Sequence, residues 1–114
     1  MQVLYEDNHI IAVSKTCHEI VQGDKTGDTP LSETVKAYIK EKYQKPGEVF
    51  LGVTHRLDRP TTGVVLFART SKALSRLNEM FKSHEKIKKT YWAIVQSPPP
   101  TPQGRLENYL WRNE

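Results

Sequence analysis

Five residues most limit what this 114-residue chain can fold into: VVLFA, residues 64 to 68, apolar on both faces of any strand they form. Successive strand residues point to opposite sides, so such a run suits a central, buried strand. The length is that of one domain and leaves little room for a second core. Hydrophobic residues make up only 37% of the chain, yet they recur in short blocks, so a thin core is expected.

Other segments supply the elements around that strand. VLY at residues 3 to 5 and IIAV at residues 10 to 13 flank the turn-like EDNH and read as two strands or one interrupted strand. HEIVQGDKTGD follows as a strand with a polar, glycine-bearing loop. Thr29 as N-cap and Pro30 at the first helical position predict a helix start, and Leu31, Val35, Tyr38 and Ile39 give it an apolar stripe that ends before Pro46. Residues 49 to 57 alternate: as a strand they place Leu51, Val53, His55 and Leu57 on one side and Gly52, Thr54, Arg56 and Asp58 on the other. Ser71 is expected to cap a second helix with Ala73, Leu74, Leu77, Met80 and Phe81 as its stripe. KKTYWAIV, residues 88 to 95, predicts a further strand, SPPPTPQG a stiff connector, and RLENYLWRNE the start of one more strand.

The net charge of +4 is unevenly placed, because residues 69 to 89 alone carry seven basic and two acidic side chains. A basic segment of this kind fits a polyanion footprint, each Lys or Arg displacing a phosphate counterion, and it equally fits a solvated helix face. Cys17 is the only cysteine, which leaves no disulfide framework and no cysteine-based zinc site. No apolar run reaches the ~20 residues of a membrane helix, and the amino terminus lacks signal-peptide order. A soluble, cytoplasmic protein without membrane partners is the expectation.

Familiar phosphate-cradling loops are absent, and HRLD only superficially resembles the kinase catalytic loop. The four histidines show no metal-binding spacing, and no serine sits in a nucleophile elbow. What remains is Asp58, between Arg56 and Arg59. A carboxylate between two guanidinium groups has its ionised form favoured, which suits a nucleophile or an electrostatic stabiliser; on chemistry alone, an Asp held in a structural salt bridge at a strand end is the reading the residues favour. Without a second carboxylate in the motif, the paired-carboxylate chemistry of glycosidases is disfavoured.

HRLDRPTTGVVLFART resembles the central motif of the RluA-type pseudouridine synthases, H-R-L-D-x-x-T-S-G followed by an apolar strand. LYEDNHIIAVSK, KKTYWAIV and GRLENYLWRNE resemble further blocks of that family in the same order, covering nearly the whole chain. The resemblance implies an enzyme that isomerises uridine to pseudouridine in ribosomal or transfer RNA, with no cofactor and no metal. It makes Asp58 the essential aspartate acting on the glycosidic bond and Tyr91 the tyrosine that stacks on the displaced uracil. It makes Arg56 the arginine that fills the RNA stack when the base is flipped out. Arg59 is expected at a phosphate, and Lys72, Arg76 and Lys82 along the second helix are expected to bind RNA. Thr62 and Gly63, with His55, support the motif, Thr62 standing where serine is commoner.

SKTCHEIVQGD departs from the family's N-K-P-x-G segment, in which Lys15 alone matches. The fold expected is α+β, a mixed, largely antiparallel sheet with two packed helices. Residues 1–114 read as the amino-terminal portion of one catalytic domain, with no S4-like RNA-binding domain. A chain of that kind carries two expectations: catalysis with structured RNA as partner, or a non-catalytic RNA-binding module. A half-sheet with open edges also predicts self-association.

Overall fold

The computed structural model describes residues 1–111. Its elements are β1 (Gln2–Glu6), β2 (Ile10–Lys15), α1 (Leu31–Tyr43), β3 (Gly52–Val53), β4 (Gly63–Ala68) and α2 (Ser71–Ser83). The four strands form one sheet in the order β1-β2-β4-β3, every neighbouring pair antiparallel. The α+β expectation holds, and β4 is a central strand as its two apolar faces require.

EDNH is a true turn, so the first two runs are separate strands. The Asp7 carboxylate accepts from the backbone N–H of His9 (2.7 Å) and of Ile10 (2.8 Å). Those two bonds hold its pKa below the ordinary carboxylate value. Along β4, Val65 and Phe67 point to one face and pack with Ile11, Val13 and the α1 stripe of Leu31, Val35 and Ile39. Leu66 and Ala68 point to the other and pack with Ile10, Ala73, Leu74, Leu77 and Met80. The alternation of β4 thus explains why the helices cover opposite faces. Gly52 allows close approach on the α2 side, since a β-carbon there would lie 2.8 Å from Leu74 Cδ1.

Several boundaries differ from those read in the sequence. Pro30, with ψ of 159°, is itself the N-cap of α1. The first helical N–H groups are satisfied by the loop rather than by Thr29: Leu31 donates to the Ile20 carbonyl (2.7 Å) and Ser32 to that of Val21 (3.1 Å). HEIVQGD accordingly forms no strand, because its backbone caps a helix while Ile20 and Val21 are buried. At α2 the cap is Thr70, whose hydroxyl accepts from Ala73 N–H (3.1 Å), and Ser71 is the first helical residue.

The run 49–57 is laddered only at Gly52 and Val53. Leu51, Val53 and Leu57 lie against the α1-side core, whereas His55 stacks on Phe81 of α2 at 4.9 Å, so the four do not share one side. The strict alternation fails because the chain leaves the sheet after Val53. Residues 88–95 and 105–111 form no strands either. Their patterns specify side-chain alternation, but a strand exists only where a neighbour supplies backbone partners, and among the described residues none does. The end of the last predicted strand, residues 112–114, lies outside the described residues. No helix of the described residues is long and apolar enough to cross a membrane.

Candidate active site

The site is organised from β2. Ile11, Val13 and Lys15 share a face, so Lys15 continues a line of core residues and is only 1% exposed. The register pairs Lys15 with Gly63, where β4 begins, which brings the ammonium under the turn that precedes β4. There Nζ donates to the carbonyls of Thr61 (2.7 Å), Arg59 (2.8 Å), Thr16 (2.9 Å) and Asp58 (3.0 Å). Burial pushes the Lys15 pKa down, with Glu19, Cys17 and Asp58 opposing the shift. An ammonium has three protons, so four oxygens share them, and converging carbonyl dipoles keep a buried charge tolerable without a contacting carboxylate.

Those bonds fix the backbone of residues 58 to 61. A turn bond from Thr61 N–H to the Asp58 carbonyl (2.9 Å) closes the same segment. Gly63 follows at φ +148°, a conformation that L side chains rarely adopt and that lets the chain enter β4 beside Leu57. The result is a rigid main chain carrying an exposed acid. Among the described residues no hydrogen bond or ion pair engages the Asp58 carboxylate.

Arg59 does not flank Asp58 as the sequence suggested. Its guanidinium pairs with Asp28 (3.0 Å) and Asp24 (3.6 Å) and donates to the His18 carbonyl (3.0 Å). The reading of Asp58 as an acid held between two guanidinium groups is therefore corrected, and so is the salt-bridge alternative. Arg59 instead ties the turn to the 18–28 loop, which overlaps the end of the SKTCHEIVQGD segment (residues 14–24) where this chain departs from the N-K-P-x-G pattern. Arg56 is exposed.

A cleft of about 750 Å³ lies beside the turn. His55, Thr62, Gly63 and Tyr91 all line it, together with Val64 and Leu66 of β4 and Phe81 of α2. Asp58, Arg56 and Arg59 do not line it, although Leu57 and Pro60 on either side of Asp58 do. Tyr91 reaches the cleft from the segment after α2 and is 61% exposed. Lys72, Arg76 and Lys82 are exposed along α2. Lys88 and Lys89 also line the cleft; sequence reasoning counted them in the basic block without naming them. A second concavity of about 350 Å³ lies along α1 at Lys36 and Lys40 and shares no lining residue with the cleft.

Lys15 is the residue of this site that composition and motif reading undervalued. Its signal was present: a lysine at the parity of Ile11 and Val13 marks a charge placed in a core position, and such a charge needs partners. Among the described residues no three His, Cys, Asp or Glu side chains are gathered closely enough to share a metal ion.

Comparison with known proteins gives this geometry a context. A family model described as RNA pseudouridylate synthase matches residues 9–114. The chain is 35% identical over 99 residues to a tRNA pseudouridine synthase C of Vibrio cholerae, covering 84% of this chain and 37% of the relative. It is 34% identical over 108 residues to a ribosomal large subunit pseudouridine synthase C of Escherichia coli, covering 95% and 30%. A mitochondrial pseudouridylate synthase of Xenopus tropicalis is 31% identical over 113 residues, covering 99% and 34%. The solved structure of human RNA pseudouridylate synthase domain containing 4 superposes with a TM-score of 0.62 at 23% identity, covering 74% of this chain and 30% of that one, a likeness of fold. The chain spans about a third of the length of these curated relatives.

Proposed function

The chain belongs to the RNA pseudouridylate synthase family, and from that premise we propose that its protein isomerises uridine to pseudouridine in ribosomal or transfer RNA, with Asp58 as the essential carboxylate. The reaction breaks the bond from the sugar to uracil nitrogen 1, makes a bond from the same sugar carbon to uracil carbon 5, releases the proton from carbon 5 to solvent and takes one up from solvent on nitrogen 1. No net oxidation occurs, so the atoms balance without a cofactor.

The observation that carries this reading is the Lys15 clamp. Nζ holds the carbonyls of Asp58, Arg59 and Thr61 while the Asp58 carboxylate is left exposed. A group that must meet a sugar or a base needs a fixed backbone and an accessible side chain, because misplacement erodes the advantage of proximity. Extrusion of a base costs a few kcal/mol. In this proposal Arg56 offsets that cost by filling the gap in the stack, and Tyr91 receives the displaced uracil. Arg59, already engaged by Asp24 and Asp28, meets a phosphate with its remaining donors. Lys72, Arg76 and Lys82 bind the RNA backbone, and the protein acts in the cytoplasm.

Release of tritium from RNA whose uridines are tritiated at carbon 5 tests the reading on the complete gene product. Wild type is expected to release tritium and Asp58→Asn to release none; equal rates would overturn the assignment of Asp58.

A second reading, RNA binding without isomerisation, is favoured by one observation: among the described residues no basic side chain pairs with Asp58. It predicts salt-dependent retention of RNA by the 114-residue chain without tritium release, with retention reduced when Lys72, Arg76 and Lys82 are neutralised. Self-association belongs to the same proposal, since β1 and β3 are open edges and Trp92, Ile94, Tyr109 and Leu110 are almost fully exposed.

A further inference from the structure

The ladder between β3 and β4 pairs Gly52 with Ala68 and Val53 with Phe67, then stops. The next rung of that register would pair Thr54 with Leu66. Instead, two side chains take the backbone groups of Leu66: Thr54 Oγ1 donates to its carbonyl (2.6 Å), and its N–H donates to His55 Nε2 (3.0 Å). A strand that peels away normally leaves unpaired groups on its neighbour, and each buried one costs free energy. Here the departing strand satisfies them itself. On its other side the His55 ring stacks on Phe81 of α2, with 29° between the planes.

We propose that Thr54 and His55 are positioning residues, a side-chain rung that sets where the chain leaves the sheet and so aims the segment carrying Arg56 and Asp58. Lys15 fixes that segment from its carboxyl-terminal side, and the rung fixes it from the other. Because Nε2 accepts, the imidazole is neutral and carries its proton on Nδ1. Burial, followed by the charge of Lys89, lowers the His55 pKa and favours that neutral form. Lys89 is the charged group facing the ring from the segment after α2; Leu66 of β4 and Phe81 of α2 bring none. The structural part stands on the geometry alone, while the catalytic part rests on the proposed function.

Two measurements on the 114-residue chain judge the structural part. Nitrogen-15 NMR of the imidazole is expected to show the Nδ1–H tautomer, and the Leu66 amide to be protected from exchange. In His55→Phe, which keeps an aromatic ring but no acceptor, corrected exchange at Leu66 should quicken about tenfold, the size of one lost hydrogen bond. His55→Gln, which returns an acceptor to that position, should recover most of the protection. An Nε2–H tautomer in wild type, or unchanged exchange in His55→Phe, would overturn the rung even if the variants proved less stable.

For the catalytic part, tritium release by the complete gene product should show kcat reduced about tenfold in Thr54→Val and in His55→Phe with KM for RNA unchanged, and recovery in His55→Gln. Wild-type kcat in both variants, beside an inactive Asp58→Asn, would overturn positioning and leave the proposed function intact. Full activity of Asp58→Asn would instead overturn the proposed function and the catalytic part with it.

Discussion

Asp58 owes its exposure to a residue 43 positions earlier in the chain, because the Lys15 ammonium bonds the main chain of the turn and leaves the acid side chain out. Removing that ammonium would orphan carbonyls at Asp58, Arg59 and Thr61 together. Lys15→Met should therefore destabilise the chain by roughly 3 kcal/mol or more, at ~1–3 kcal/mol for each group left unsatisfied. A shift in urea midpoint equivalent to less than ~0.5 kcal/mol would contradict the clamp. His55 makes a second, pH-dependent contribution. Its folded pKa lies below the ordinary 6.5, burial being the main cause, so below about pH 6.5 the unfolded chain takes up a proton that the fold refuses. Stability is full above that pH and declines as pH falls from 6.5 toward the lower folded value. Urea titrations at pH 7.5 and 5.5 should show the decline, and His55→Gln should flatten it.

At the level of elements, both helices start in ways that a string of residue preferences does not distinguish. Thr29-Pro30 and Thr70-Ser71 each offer a hydroxyl where a helix begins, but only Thr70 uses it. The N–H groups of Leu31 and Ser32 find the carbonyls of Ile20 and Val21 first. Thr70→Ala should cost ~1 kcal/mol, within the usual range for a lost N-cap, and Thr29→Ala close to nothing. Thermal unfolding of the two variants side by side checks this contrast, and equal losses would place the α1 cap on Thr29 after all. The stripes were legible in advance because their burial follows from helical period alone: Leu31, Val35 and Ile39 are buried on α1, and Ala73 and Leu77 on α2. The extents of the strands were less legible. Residues 49–57 carry a pattern nine residues long and a ladder of two, since pairing depends on where β4 can receive them.

Across the whole molecule, a compact part ends with α2 and the segment that turns beside it. The radius of gyration is 16.7 Å, against about 13 Å for a compact domain of this length. Trp92, Ile94, Leu106, Tyr109 and Trp111 are each more than nine-tenths exposed. Side chains that bury nothing contribute nothing through burial, so a chain ending at Gln96 should melt within about 2 °C of the 114-residue chain, its core being untouched. The same truncation removes Leu106, Tyr109 and Trp111 but keeps Trp92 and Ile94, so concentration-dependent association in sedimentation velocity should weaken without vanishing. A large drop in melting temperature would mean that residues 97–114 pack on the rest.

The sequence by itself determined the central strand, the two amphipathic helices and the motif that carries Asp58, because each is written in side-chain order within a short window. VVLFA reads as a central strand, and Val65, Phe67 and Ala68 are buried while Val64, at the cleft, is exposed; HRLDRPTTG marks a turn leading into it whatever surrounds them. The tertiary structure alone decided what holds that turn. Lys15 reaches Asp58 only because β2 and β4 pair in a register that sets Lys15 beside Gly63. Arg59 leaves Asp58 because the 18–28 loop presents Asp24 and Asp28 to it. Contacts between distant segments depend on strand register and loop path, and those are fixed by packing the whole chain at once.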